Sequence, residues 1–128
     1  MVVGTGIDIV RISRIKQAHE RWGNKFFKRV FTENEIRSAV ERKDIFPHLS
    51  SRFAAKEAFV KALGTGFSNG ISWKDIEIKR EKGHRPFFSI SGVALILMNR
   101  HGIKTCHLSI SHEGDYAIAQ VVLEGETE

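Results

Sequence analysis

Ser51-Arg52-Phe53-Ala54-Ala55-Lys56-Glu57-Ala58-Phe59-Val60-Lys61-Ala62-Leu63-Gly64 is the stretch around which the rest of the chain is best arranged. At about 100° per residue, Ala55, Ala58, Phe59, Ala62 and Leu63 share one face of a helix. Glu57 and Lys61 are four apart and lie together on the far side, where Phe53, Ala54 and Val60 flank them. A helix that is apolar nearly all round is sheathed by the rest of its fold. An ordinary surface Glu→Lys pair, worth about 0.2–0.5 kcal/mol, is the plainer reading. Burial favours a functional one, because an ionised carboxylate withdrawn from water needs a cation beside it.

Outward from this helix the elements follow from local signals. Pro47 with Ser50 and Ser51 opens it, and Gly64 stops it after Leu63. Upstream, Val3 to Val10 alternates as a strand, with Val3, Thr5, Ile7 and Ile9 on one side and Gly4, Gly6 and Asp8 on the other. Ser13 reads as the N-cap of a helix to Trp22, with Gly23 as its stop, and Thr32 with Glu35 has capping-box spacing. Downstream, Ile76 and Ile78 mark a strand, a turn at 81–84 leads to a second one at 86–90, and Ser91 caps a helix through Arg100. Residues 107–111 and 116–123 form a hairpin around Glu113-Gly114-Asp115. Strands and helices mix without regular βαβ alternation. That predicts an α+β fold over residues 1–128, one small domain with an antiparallel sheet packed with helices.

The residue types that carry chemistry fall in four places. Asp8 shares its strand face with Gly4 and Gly6, where the missing side chains mark close approach by a ligand or another backbone. If Asp8 converges with Glu57, two carboxylates suit Mg²⁺, which binds one or two of them and keeps sites for water and phosphate. Alternatively Asp8 simply ends the strand. The loop from Gly64 to Gly70 is glycine-rich, yet it lacks the Walker lysine and opens no helix, so a plain helix stop is the simpler reading. In His107-Leu108-Ser109-Ile110-Ser111-His112 a polar row alternates with apolar residues, lining a cleft or facing solvent, and no third group completes a Ser/His/Asp triad. His19, His48, His84 and His101 sit among polar neighbours and are expected at the surface.

The 128 residues carry a formal net charge of +5, which calls for an acidic partner or a solvated basic surface. Basic residues cluster early, with Arg14, Ala18, Arg21 and Lys25 near one stripe that Gly23 interrupts. Aromatic residues do not interleave with these charges, which argues against a nucleic-acid partner. Cys106 is the single cysteine, so no intrachain disulfide forms, and it reads as an inert buried thiol. No basic-then-apolar leader opens the chain and no apolar run nears the roughly 20 residues of a membrane span. Its longest apolar run, Val93 to Met98, reads as a helix core. A cytoplasmic chain without a membrane partner is expected. With 41% hydrophobic residues it can build one core. A chain this short buries only about two-thirds of its unfolded surface, which makes a site shared between subunits plausible.

Taken together, these motifs resemble holo-acyl-carrier-protein synthases, the short bacterial 4'-phosphopantetheinyl transferases. The matching stretches are Gly4 to Ile9, Arg52 to Ala62, Gly64-Thr65-Gly66, Asp75 to Ile78, Gly83-x-x-Pro86 and His107 through Ala117, in order along nearly the whole chain. The resemblance implies transfer of 4'-phosphopantetheine from coenzyme A to a serine of apo acyl carrier protein, with release of adenosine 3',5'-bisphosphate. It implies Asp8 and Glu57 as Mg²⁺ ligands and Lys61 as a phosphate contact. Glu57 is then the first candidate to accept the serine proton, with His107 behind it. Lys61, Gly64, Ser109, Ser111 and His112 would meet coenzyme A, and Arg14, Arg21 and Arg52 would meet the acidic carrier protein. It also implies a homotrimer with sites between subunits. Two other functions compete: a basic nucleic-acid-binding module and a metal-dependent phosphohydrolase using the same two carboxylates.

Overall fold

In the computed structural model, which describes residues 1–126, the central helix α4 runs from Ile45 to Leu63. Before it come β1 (Val2–Arg11), α1 (Ile12–Trp22), α2 (Asn24–Val30) and α3 (Glu33–Val40). After it come a short 3-10 helix (Trp73–Asp75), β2 (Ile76–Lys79), β3 (Phe87–Ile90), α5 (Gly92–Arg100), β4 (Ile103–Glu113) and β5 (Tyr116–Gly125). Two antiparallel sheets form, one ordered β1-β5-β4 and the other pairing β2 with β3. The α+β architecture is therefore as expected.

Helix α4 starts earlier than Pro47. The Asp44 carboxylate accepts from Phe46 N at 3.1 Å, which caps the helix and leaves Pro47 in the first turn. There its missing N–H costs nothing. From His48 to Leu63 every residue except Glu57 and Lys61 is buried, so the all-round apolar pattern does mean a sheathed helix. It lies on the inner face of the three-stranded sheet, over Ala117, Ala119, Val121 and Leu123 of β5.

Helix and sheet meet with unusual intimacy along β1. A Cβ on Gly4 would stand 2.1 Å from Ala62 O, and one on Gly6 would stand 1.9 Å from Ala58 O. The two glycines therefore admit the helix backbone, not a ligand. Between them they set β1 against two successive turns of α4.

A buried ion pair fixes the other side of α4. Lys56 is fully enclosed, and its ammonium donates to Glu35 Oε1 at 2.7 Å, Val30 O at 2.7 Å and Trp73 O at 3.1 Å. Glu35 also accepts from Thr32 N at 2.9 Å and Ile78 N at 2.8 Å. The predicted capping box of α3 is present, and its acid does double duty as the partner of Lys56.

Three local expectations are corrected. Ser13 is not the cap of α1: β1 pairs through Arg11, and Ile12 N donates to Asp115 O at 2.8 Å, so the β4–β5 turn closes that helix end. His48 is not a surface residue, being only 9% exposed where α4 passes under the β2–β3 turn. Finally, α5 is not wholly core. Ala94, Leu97 and Met98 face inward while Leu95 and Ile96 are exposed, because the helix lies along the outside of the fold.

Candidate active site

Asp8 and Glu57 lie within electrostatic reach of each other where β1 crosses α4. Asp8 follows Gly6 by one alternation of the strand, on the same inward side, and Glu57 precedes the Ala58 that Gly6 touches. Lys61, one turn beyond Glu57, donates to Asp8 Oδ1 at 2.9 Å and to Ile7 O at 3.1 Å. The helix pair of the sequence thus becomes a triangle in which the amine rests on the strand acid. Burial raises the pKa of Glu57, the negative charge of Asp8 raises it further, and Lys61 and Arg14 pull it back. Glu57 also lines a cavity of about 310 Å³ whose wall includes Arg14, Phe53 and Trp73. The Arg14 guanidinium lies 5.6 Å from the Phe53 ring, and Trp73 stacks on Phe53 at 5.0 Å and on Phe67 at 3.7 Å. Glu57 therefore has aromatic neighbours across this cavity.

A second and larger cavity, of about 850 Å³, opens between α4, the β2–β3 turn and the end of β4. Arg42, Lys43, Arg52, Arg80 and Arg85 line it, together with His48, His84, Ser111 and His112. Such a concentration of cations recognises anions, and Arg matches phosphate geometry bidentately. Arg52 is only 6% exposed and donates to Ser51 Oγ at 3.0 Å. Burial depresses its pKa to about 10, although Glu35 opposes the shift. Arg52 therefore belongs to this cavity and not to an exposed docking strip. Arg14 and Arg21 do stand on the surface, Arg21 over the ring of Trp22 at 5.0 Å.

The polar row of β4 divides. Ser111 and His112 reach the basic cavity, whereas Ser109 lies on the exposed outer face of the sheet. His107 is on that outer face too, its Nε2 2.5 Å from Glu124 Oε1. Within one chain this is the opposite face of the sheet from Asp8, so His107 does not join Glu57 and Lys61. Gly64 ends α4 in the left-handed conformation, with φ 86°. The amides of Gly64, Thr65 and Gly66 all turn back to Val60 O, at 3.0, 3.1 and 3.3 Å, as a helix stop should.

The same combination of elements occurs in known proteins. The model of the 4'-phosphopantetheinyl transferase superfamily matches residues 4–121. The chain belongs to that family. A holo-acyl-carrier-protein synthase of Koribacter versatilis is 44% identical over 97% of the chain and 99% of the relative. Among solved structures, the holo-acyl-carrier-protein synthase of Neisseria meningitidis superposes with a TM-score of 0.88 at 37% identity, covering 97% of this chain and 99% of that one. That of Bacillus anthracis, solved in complex with CoA (3',5'-ADP), has a TM-score of 0.80 at 38% identity, covering 98% and 99%. Kinship of this extent makes the chain an enzyme of the 4'-phosphopantetheinyl transferase family.

For a 4'-phosphopantetheinyl transferase, the oxygen cluster is chemically suited to a hard divalent ion. It offers the Asp8 and Glu57 carboxylates and the Ile7 carbonyl, of which Lys61 holds Asp8 and the carbonyl. Among the described residues no three or more His, Cys, Asp or Glu are grouped so that they could hold a metal ion by themselves. A metal here would thus complete its shell with water and phosphate. Sequence reasoning missed three features of the structure: the enclosure of Lys56, the basic cavity, and His48 in its wall. Lys56 stands inside the quoted motif, but its partners lie 17 to 26 residues away. The cavity had a faint signal in the cations at 42–43 and 79–85.

Proposed function

We propose that this chain transfers the 4'-phosphopantetheine group of coenzyme A to a serine of apo acyl carrier protein, with Mg²⁺ held by Asp8 and Glu57. The observation that carries the reading is the meeting of these two acids with Lys61, in a chain related over its full length to holo-acyl-carrier-protein synthases. In the reaction the serine oxygen forms a bond to the phosphorus bearing the pantetheine arm. The bond from that phosphorus to the nucleotide breaks, and adenosine 3',5'-bisphosphate leaves. The bound ion would supply charge neutralisation on the pyrophosphate oxygens. Glu57 is the group we assign to accept the serine proton. Lys61 swings from Asp8 to a phosphate oxygen, so that catalysis is mainly positioning and electrostatics. The basic cavity of about 850 Å³, with Ser111 and His112 at its edge, suits the remaining phosphate of the coenzyme.

Arg14 and Arg21, exposed on α1, suit an acidic carrier surface, and Arg14 stands beside Glu57 where the serine must arrive. The outer face of the three-stranded sheet supports a trimer. Ile7 is 58% exposed there and Ile9 61%, next to Ile118 and Tyr116, a patch that another copy of the chain would cover. Such an assembly brings one subunit's outer-face residues, Ser109 and His107 among them, toward a neighbour. None of the described helices is long and apolar enough to cross a membrane.

The test is direct. The chain is incubated with coenzyme A, Mg²⁺ and an apo carrier protein, and the carrier is weighed by mass spectrometry. Gain of one phosphopantetheine arm is expected. Free phosphate released without a modified carrier would replace this reading by a phosphohydrolase. In the same assay Glu57→Gln should transfer at least about a hundredfold more slowly, and a rate close to that of the native chain would remove Glu57 from the site.

A further inference from the structure

We propose that His48 is a proton-accepting ligand of the anion that the basic cavity receives: it charges only as the anion enters, and completes the cationic wall from inside. His48 is more than nine-tenths buried, and its Nε2 has no hydrogen-bond partner among the described residues. A buried polar nitrogen without a partner is costly, and in native folds it points to a ligand or another group that arrives later. The ring stands in the wall of two adjoining cavities, of about 850 and 420 Å³, which share Arg42, Arg52 and Arg80.

Burial first, and then the charged surroundings, keep this imidazole neutral. Glu41 faces the smaller cavity from the end of α3; from the connection to α4, Arg42 faces both cavities, and Lys43 and Asp44 face the larger. Arg52 comes from α4 itself, Arg80, Glu81, Lys82, His84 and Arg85 from the β2–β3 turn, and His112 from β4. Glu35 of α3 also borders the smaller cavity, but its oxygens are already taken by Lys56, Thr32 N and Ile78 N. Cations therefore dominate. Burial first, then Arg52, Arg42, Arg80 and His112, lower the His48 pKa to about 3.

A dianion in the cavity reverses the electrostatic part of that balance. Two of the positive charges are offset, and a negative charge now faces the ring. Protonated imidazole has two N–H donors and makes a charge-assisted bond to a phosphate oxygen. An arginine in its place would repel Arg42, Arg52 and Arg80 at all times. A histidine adds its charge only when there is something to hold. For the biological ligand the inference rests on the reading that the cavity takes a phosphate of coenzyme A, but the proton uptake concerns any dianion.

Sulfate is the suitable probe, since it does not itself titrate near neutrality. Calorimetry of sulfate binding to the full chain, repeated in buffers of different ionisation enthalpy at about pH 6, reads the protons taken up. The native chain should take up more protons per sulfate than His48→Phe or His48→Gln. As pH falls, sulfate affinity should also rise more steeply for the native chain than for either substituted chain, the difference reaching up to about tenfold per pH unit. A ¹⁵N spectrum of the native imidazoles reads the same event without a substitution, with His48 passing from a neutral to a charged pattern as sulfate is added. Equal proton uptake by all three chains, or a His48 that stays neutral at saturating sulfate, overturns the inference. Carrier modification that persists alongside such a result leaves the transferase reading standing. Sulfate-linked charging of His48 in a chain that fails to modify any carrier overturns the transferase reading instead.

Discussion

Lys56 carries a full charge into the centre of the fold, and it is tolerated there because every proton of its ammonium is spoken for. It bonds Glu35, Val30 O and Trp73 O, and so ties α4 to the ends of α2 and α3 and to the 3-10 helix. Burial lowers its pKa, while Glu35 acts to raise it. Lys56→Met would strand the Glu35 carboxylate without its cation and should cost about 3–5 kcal/mol in denaturant unfolding. Pairing it with Glu35→Leu should recover much of that loss, because replacing a whole buried ion pair by apolar residues is often neutral. A double variant as unstable as the single one would mean that the network contributes through its backbone bonds instead. His48 makes an independent prediction. Its folded pKa of about 3 lies below the unfolded value of 6.5, so the unfolded chain binds the proton first. The contribution of His48 to stability is whole above about pH 6.5 and erodes as pH falls from there toward about 3. His48→Phe should therefore lose less thermal stability than the native chain over that range; identical pH profiles would refute the shift. Neither residue's environment is legible in the sequence. A capping box works over three residues, so Thr32–Glu35 can be recognised locally, but the enclosure of Lys56 and His48 depends on segments far away in the chain.

At the level of elements, legibility follows the range of the forces. The α4 stop at Gly64, the β4–β5 hairpin and the β2–β3 pair all obey local turn chemistry, and the sequence reveals them. The starts of α1 and α4 depart from expectation because the nearest serines and proline are not their caps. In the fold, Asp115 from the far hairpin and Asp44 perform those tasks. The glycines of β1 stand out in the sequence while their reason stays open, since a sequence does not say what comes close. The helix backbone does. Gly6→Ala would drive a methyl group to 1.9 Å from Ala58 O, a backbone atom that cannot turn aside. A loss of about 3 kcal/mol, at the upper end for overpacking, is expected by thermal or denaturant unfolding, with a drop in transfer rate as Asp8 shifts from Glu57. A variant as stable as the native chain would show that α4 and β1 separate easily.

Over the whole molecule, the most conspicuous feature is apolar surface where a monomer would have polar side chains. Ile7, Ile9 and Ile118 stand in the open on the outer face of the three-stranded sheet. In the sequence, alternation shows two faces of β1 but does not say that the isoleucine face points outward. The glycine face takes the core because only it lets α4 approach. Covering the isoleucines with another copy would explain them, and Ile9→Lys should convert a trimer to monomers by light scattering while leaving circular dichroism unchanged. A native chain that is monomeric at micromolar concentration would dispose of that assembly. The candidate site is partly legible at this scale as well. Asp8, Glu57 and Lys61 can be picked out by residue type and spacing, whereas the basic cavity is assembled from α3–α4, β2–β3 and β4 segments that only the tertiary structure juxtaposes.

The contact of Gly4 and Gly6 with the turns of α4 has one more implication. Two backbones seated against each other without intervening side chains cannot slide, so the spacing between the strand acid and the helix acid behaves as a fixed gauge. On the proposed reading, new carrier preferences would arise by remodelling α1, with Arg14 and Arg21, while the spacing of the two acids is held constant.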